Sequence, residues 1–240
     1  MRRARARRET YVGPWLPEPI LPDDARAFSA ETPDASAELA SDLSLALLHV
    51  LERLSPEERA AFILHDAFDC DYRDIAATLG KSETAARKLV SRARARVRHD
   101  RPRRNVSREQ HLDLLARFAR ATAERDSAAL QQLFAPDVVF YTDGGGRVTA
   151  ALNPIFGSDK VERFIFGLAR KRSKAEAFPS IVAMEINGRP GLVIALNGKI
   201  DSTLDIETDG ERIVALYLVR NPDKLARFES AIETFASGSA

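Results

Sequence analysis

One cysteine, one tryptophan, two methionines and four histidines among 240 residues remove several classes of function at the outset. Cys70 has no second cysteine to pair with, so the chain carries no internal disulfide framework, and a reducing cytoplasm is its natural compartment. No apolar run approaches the roughly 18–20 residues of a membrane span. The arginines of the opening MRRARARR lead into Trp-Leu-Pro rather than an apolar signal core. His49, His65, His99 and His111 all precede the strand-rich part of the chain, and no metal-ligand spacing occurs, so neither metal nor cofactor is expected. The one glycine run, Asp143-Gly144-Gly145-Gly146-Arg147, lacks the Gly-Lys-Ser/Thr of a phosphate loop and leads into a strand pattern instead of a helix.

What the chain does have is segregated charge. The formal net charge is only +1, yet residues 81–104 hold ten Lys/Arg against two acids, Glu83 and Asp100, and the first eight residues hold five arginines. Such asymmetry points to a local anionic partner. Length and pattern divide the chain into a basic, Pro-rich linker (1–36), a helical domain (37–100), a second linker (101–107) and a C-terminal domain (108–237). Apolar spacing predicts helices over 37–54 and 56–68, the latter opened by Ser55, Pro56 and Glu58, a capping box with proline in the first turn. A helix at about 72–79, a Gly80 stop and an N-cap at Ser82 before a longer arginine-rich helix have the spacing of a helix-turn-helix. Ser107–Gln110 caps another helix. A strand, the glycine turn with a return strand, an amphipathic helix and four strand-like runs near 179–187, 190–197, 199–207 and 211–220 follow, then a terminal helix from Asn221-Pro222. The fold class is therefore multidomain: an all-α helix-turn-helix followed by an α+β domain with a mainly antiparallel sheet.

A recognition helix presents its N-terminal residues to base edges and its basic residues to phosphates. Ser82, Glu83, Thr84, Arg87, Lys88 and Ser91 occupy the first position, and Arg92, Arg94 and Arg96 the second. A solvated arginine-rich surface is the plain alternative. The nearly uniform sign of the charge, without i,i+4 acidic partners, favours DNA.

The stretch LSPEERAAFILHDAFDCDYRDIAATLGKSETAARKLVSRARARVR resembles region four of the extracytoplasmic-function sigma factors, the module that reads the minus-35 promoter element. YVGPWLPEP, DGGGR (143–147) and NPDKL (221–225), taken together and in that order, look like the members of that family that end in an SnoaL-like domain. The resemblance covers nearly the whole chain. It implies a curved sheet and helices enclosing a cone, promoter DNA and the RNA polymerase core as partners, and a regulatory rather than enzymatic C-terminal domain. The family's preceding region-two domain would end near the start of this sequence. As written, the chain is therefore expected not to initiate transcription alone.

Trp15 stands in a proline-stiffened segment, and an indole can bury about 150–250 Å², so the segment reads as a clip. The family pattern implies its seat: Trp15, Leu16, Pro17, Glu18 and Pro19 against Asp143, Gly144, Gly145, Gly146 and Arg147 and against Asn221, Pro222, Asp223, Lys224 and Leu225. Read locally, the glycine run is a tight turn, and Asn221-Pro222 is an N-cap with proline in the first helical position. Catalysis in the cone would fall to Asp143, Tyr141, Asp201 or Asp205, with Asp201 and Asp205 equally suited to face solvent. Left open are a cyclase or isomerase with a vestigial helical domain, a small-molecule ligand in the cone, and a homodimer through the open sheet face. No membrane partner is expected.

Overall fold

In the computed structural model, residues 11–20, 50–51, 54–100, 106–174 and 179–226 are described. The arginine stub, most of the helix expected over 37–54, the linker at 101–105 and the terminal helix beyond Ala226 lie outside them. Ser55 accepts from the Glu58 N–H at 3.3 Å while the Glu58 carboxylate accepts from the Ser55 N–H at 3.1 Å. This reciprocal cap launches α1 (Pro56–Asp66). α1 stops two residues before the sequence pattern suggests, because Asp69 takes a left-handed φ of 50° and the Cys70 N–H returns to the Leu64 carbonyl. Phe68 is thereby left 70% exposed in the turn. Asp71 caps α2 (Tyr72–Leu79), Gly80 ends it at φ +63°, and α3 (Glu83–Asp100) follows. Ala61, Ile75, Ala76, Ala86, Leu89 and Val90 close the core of the three helices, with Val50, Leu54, Ala93 and Val97 as a second layer. Each fully buried Leu, Ile or Val there contributes roughly 1.5–3 kcal/mol.

The second unit contains α4 (Arg108–Glu124), α5 (Ser127–Leu133), β1 (Phe134–Asp143), β2 (Ile155–Phe156), α6 (Ser158–Lys174), β3 (Pro179–Ile186), β4 (Arg189–Leu196), β5 (Lys199–Thr208) and β6 (Ile213–Val219). Strand order is β2-β1-β6-β5-β4-β3, with β1 and β6 parallel and every other pair antiparallel. Asn187-Gly188 and Asn197-Gly198 place two consecutive residues at positive φ, the geometry of the two-residue hairpins their sequence announces. α4, α5 and α6 cover one sheet face, where Phe118 and Phe134 meet tilted, and Phe140 and Phe164 edge to face, in the aliphatic core. The helices and curved mixed sheet have the architecture that the resemblance implies, with a cluster of buried side chains packed between them.

Two expectations are corrected. The glycine turn does not lead straight into a return strand: an irregular segment intervenes, and only Ile155 and Phe156 pair back, on Phe140 and Val139. Asp205 does not face solvent. Leu204 and Ile206 point into the helix-covered core, so Asp205 points to the opposite face, which is buried too at Val193, Thr203, Tyr217 and Val219.

The described residues fall into two compact units, 50–100 in one and 11–20 with 106–226 in the other. The Trp15 segment thus belongs to the same unit as the sheet, although the helical unit lies between them in sequence. Among the described residues no helix is long and apolar enough to cross a membrane.

Candidate nucleic-acid interface and linker dock

On α3, Thr84, Lys88 and Ser91 follow i, i+4, i+7 spacing and form one exposed stripe. Ser82 caps the helix through the Ala85 N–H, and Glu83 is exposed in the first turn. The flanking arginines do not stand free. Arg87 donates to Glu83 at 2.6 Å, an i,i+4 pair, which corrects the expectation that the helix lacks such partners. The Arg87 guanidinium also lies 4.4 Å from the centroid of the Tyr72 ring, whose hydroxyl meets His65 Nε2 at 2.8 Å. Arg94 makes a two-pronged bond to Asp66, with Nε at 2.9 and 3.2 Å. Arg92 and Arg96 both reach the Glu58 carboxylate, at 3.2 and 2.7 Å. Glu58 is buried, which by itself would raise its pKa; the Ser55 hydrogen bonds together with Arg96 and Arg92 outweigh that and hold it below the usual carboxylate range. Asp66 and Tyr72 were not singled out by the sequence reading, and Glu58 entered it only as the partner of Ser55 in a capping box. Their acids sit on α1, far from α3 in sequence, so only the fold reveals the pairing.

In the sheet unit, β1 and β6 are parallel neighbours, so the loops that follow them, 144–154 and 220–221, emerge at the same end of the sheet. This is why DGGGR and NPDKL meet. Asp143 is fully buried and accepts from four donors: the Tyr11 hydroxyl at 2.5 Å and the Gly145 N–H at 2.9 Å on one oxygen, and the Leu16 N–H at 2.9 Å and the Lys224 ammonium at 2.7 Å on the other. Lys224 also donates to the Leu16 carbonyl and stands 4.1 Å from the Trp15 ring centroid and 5.2 Å from that of Tyr11. A buried charge pair persists only when its remaining valences are satisfied, and here the linker backbone satisfies them. Burial first, then the bond to Asp143, raises the Tyr11 pKa, so its hydroxyl remains a donor. Asn221 donates to the Tyr11 oxygen at 3.0 Å and caps its helical turn through the Asp223 N–H at 3.1 Å. Pro222 is exposed in that turn, Leu225 is buried, and Arg147 pairs with Asp223 at 2.9 Å on the surface.

The glycine run is more than a tight turn. A Cβ on Gly145, at φ +59°, would lie 2.5 Å from the Asn221 side chain; one on Gly146 would lie 3.2 Å from Val12, and one on Gly144 2.8 Å from Ala150. At the far end of the segment, Ile20 exchanges two bonds with Asn187: its N–H donates to the side-chain oxygen at 2.8 Å, and its carbonyl accepts from the Asn187 N–H at 2.9 Å. Leu16, Pro17 and Pro19 are buried and Glu18 is exposed. The anchor expected of Trp15 is Leu16 instead: Leu16 has no exposed surface, whereas Trp15 remains 37% exposed with its ring beside the ammonium. Tyr11, Ile20 and Asn187 were absent from the expected set. Tyr11 stands in the quoted motif, whereas Asn187 reads in sequence only as a turn residue.

Of the candidate acid–base residues, Asp143 is occupied by the linker, Tyr141 stacks on Tyr217 with centroids 5.4 Å apart, and Asp201 pairs with Arg220 at 2.7 Å. Asp205 is fully buried with Oδ1 unpartnered. Burial, then the Glu207 charge, pushes it up to about 8. A shallow open pocket of about 330 Å³ lies beside the glycine loop, lined by Val12, Arg147 and Leu152 among others.

Residues 44–97 match the family model described as sigma-70, region 4. Over 233 residues the chain is 36% identical to the ECF RNA polymerase sigma factor SigJ of Mycobacterium tuberculosis, covering 93% of this chain and 73% of that protein. It is 27% identical over 203 residues to the probable ECF RNA polymerase sigma factor SigI of the same organism, covering 85% and 67%. The crystal structure of M. tuberculosis SigJ superimposes with a TM-score of 0.67 at 34% identity, over 91% of this chain and 76% of that one.

Proposed function

Because the chain belongs to the extracytoplasmic-function RNA polymerase sigma factors, we propose that its helical unit binds promoter DNA at the minus-35 element in partnership with the polymerase core, and that the SnoaL-like unit regulates this through residues 11–20. α3 supports the first half, with the exposed Thr84–Lys88–Ser91 stripe for base edges and arginines on either side for phosphates. The second half is carried by one observation: Asp143, one of the candidate acid–base residues, spends all four of its acceptor positions on Tyr11, Leu16, Gly145 and Lys224. Regulation by an intramolecular clip fits that arrangement better than turnover.

Leu16→Asp tests the reading, since a carboxylate cannot enter the apolar seat beside Asp143. The intact chain and the variant are titrated with a minus-35-type duplex and a scrambled duplex at two salt concentrations. Release of the linker is expected to tighten binding of the minus-35 duplex several-fold while helical content stays constant. Identical binding by both proteins defeats the regulatory half, and an intact chain that does not discriminate between the duplexes defeats the promoter half.

A further inference from the structure

The side of α3 that carries Arg92 and Arg96 contains an arrangement that phosphate binding alone does not explain. The two residues are i,i+4 neighbours, so their guanidinium groups lie on one face. Both converge on a single carboxylate, Glu58 of α1, whose side chain is 6% exposed while those of Arg92 and Arg96 are 59% and 56% exposed. Each arginine thus has one N–H tied to Glu58, and among the described residues its remaining N–H groups take no partner. Two positive charges against one negative leave a surplus of one, enough to attract a single phosphodiester. Glu58 cannot swing away to accommodate a different placement, because its carboxylate also closes the capping box on the Ser55 N–H at 3.1 Å.

We propose that Glu58 is a positioning residue that holds Arg92 and Arg96 as one preformed seat for one backbone phosphate, and that this seat enforces sequence discrimination by fixing the register of α3 on DNA. The inference rests on the promoter-binding reading and adds to it a residue that touches no DNA. A tethered pair of guanidinium groups meets a phosphate at one place only. If the bases facing Thr84, Lys88 and Ser91 are wrong, the helix cannot slide to improve its base contacts while keeping the phosphate. Untethered arginines, by contrast, follow phosphates wherever they lie. Specificity then falls while non-specific affinity rises, because a negative charge has also been removed from the interface.

Glu58→Gln separates this role from the cap, since glutamine at the same position still closes a capping box. Binding of the intact chain to minus-35-type and scrambled duplexes is measured across a salt series, with thermal unfolding followed alongside. The expected result is about threefold tighter binding to the scrambled duplex. The logarithmic salt slope steepens by about one unit, the size of one additional phosphate contact, and the discrimination ratio falls about tenfold. In an Arg92→Gln, Arg96→Gln background the same substitution should leave the discrimination ratio unchanged, which completes a double-mutant cycle. An unchanged ratio and slope overturns the proposal. So does a parallel loss of affinity for both duplexes together with a lowered melting temperature, which marks Glu58 as purely structural. Absence of salt-dependent binding by the unsubstituted chain instead removes the promoter-binding reading beneath it, so the two failures are distinguishable.

Discussion

Asp143 and Asp205 are both carboxylates on the second sheet face, and their surroundings give them opposite characters. Asp143 meets four donors, one of them an ammonium; Asp205 meets burial, a neighbouring Glu207 charge and an oxygen without a partner. A folded-state pKa of about 8 means that the native protein keeps the Asp205 proton throughout the range in which the unfolded chain, ionising near 4, releases it. The proton's contribution to stability is therefore complete below about pH 4 and is lost as pH rises towards 8. Asp205→Asn should flatten the decline between pH 4 and 8, raising stability relative to the unsubstituted protein at the alkaline end, as urea unfolding at several pH values will show. Sequence reasoning failed on this residue because alternation assigns faces, and a polar position on a strand is read as facing water unless something covers it. It failed on Trp15 for a related reason. Size pointed to the indole as anchor, but the fold gives the buried position to Leu16 and leaves the indole at the rim against Lys224.

At the scale of elements, local chemistry was enough to place most boundaries. Ser55, Gly80, Ser82 and Ser107 mark helix ends through their caps, and the two Asn-Gly pairs mark hairpins through their positive φ. The family pattern implied that the two turns share one rim, and what the residues alone could not show is the cause, the parallel pairing of β1 and β6 that brings Asp143 and Lys224 together across 81 positions. Nor could they show that Asn187 serves two purposes. Its left-handed backbone builds the β3–β4 turn, and its side-chain oxygen holds the Ile20 N–H. Asn187→Gly divides these functions, because glycine adopts the turn without strain and offers no acceptor. The hairpin should survive, while protection of the Ile20 amide against hydrogen exchange falls by about 1 kcal/mol, the worth of one hydrogen bond.

For the whole molecule, the division into two units places the linker with the sheet and not with the helices that follow it in sequence. Asp143→Asn leaves Lys224 without its counter-charge in a buried site, at a cost of about 3 kcal/mol. That cost should fall on the sheet unit alone, lowering its calorimetric transition by on the order of 10 °C while the core around Ile75 and Leu89 melts unchanged. The bonds in the dock also set a timetable. Leu16 and Lys224 are 208 positions apart, and at 5–20 residues per second a ribosome needs roughly 10–40 s to cover that distance. The helical unit lies within the interval, so it leaves the ribosome while the clip still has nothing to close on. Every newly made molecule thus passes through a period in which its helical unit is complete and residues 11–20 have no sheet to dock on.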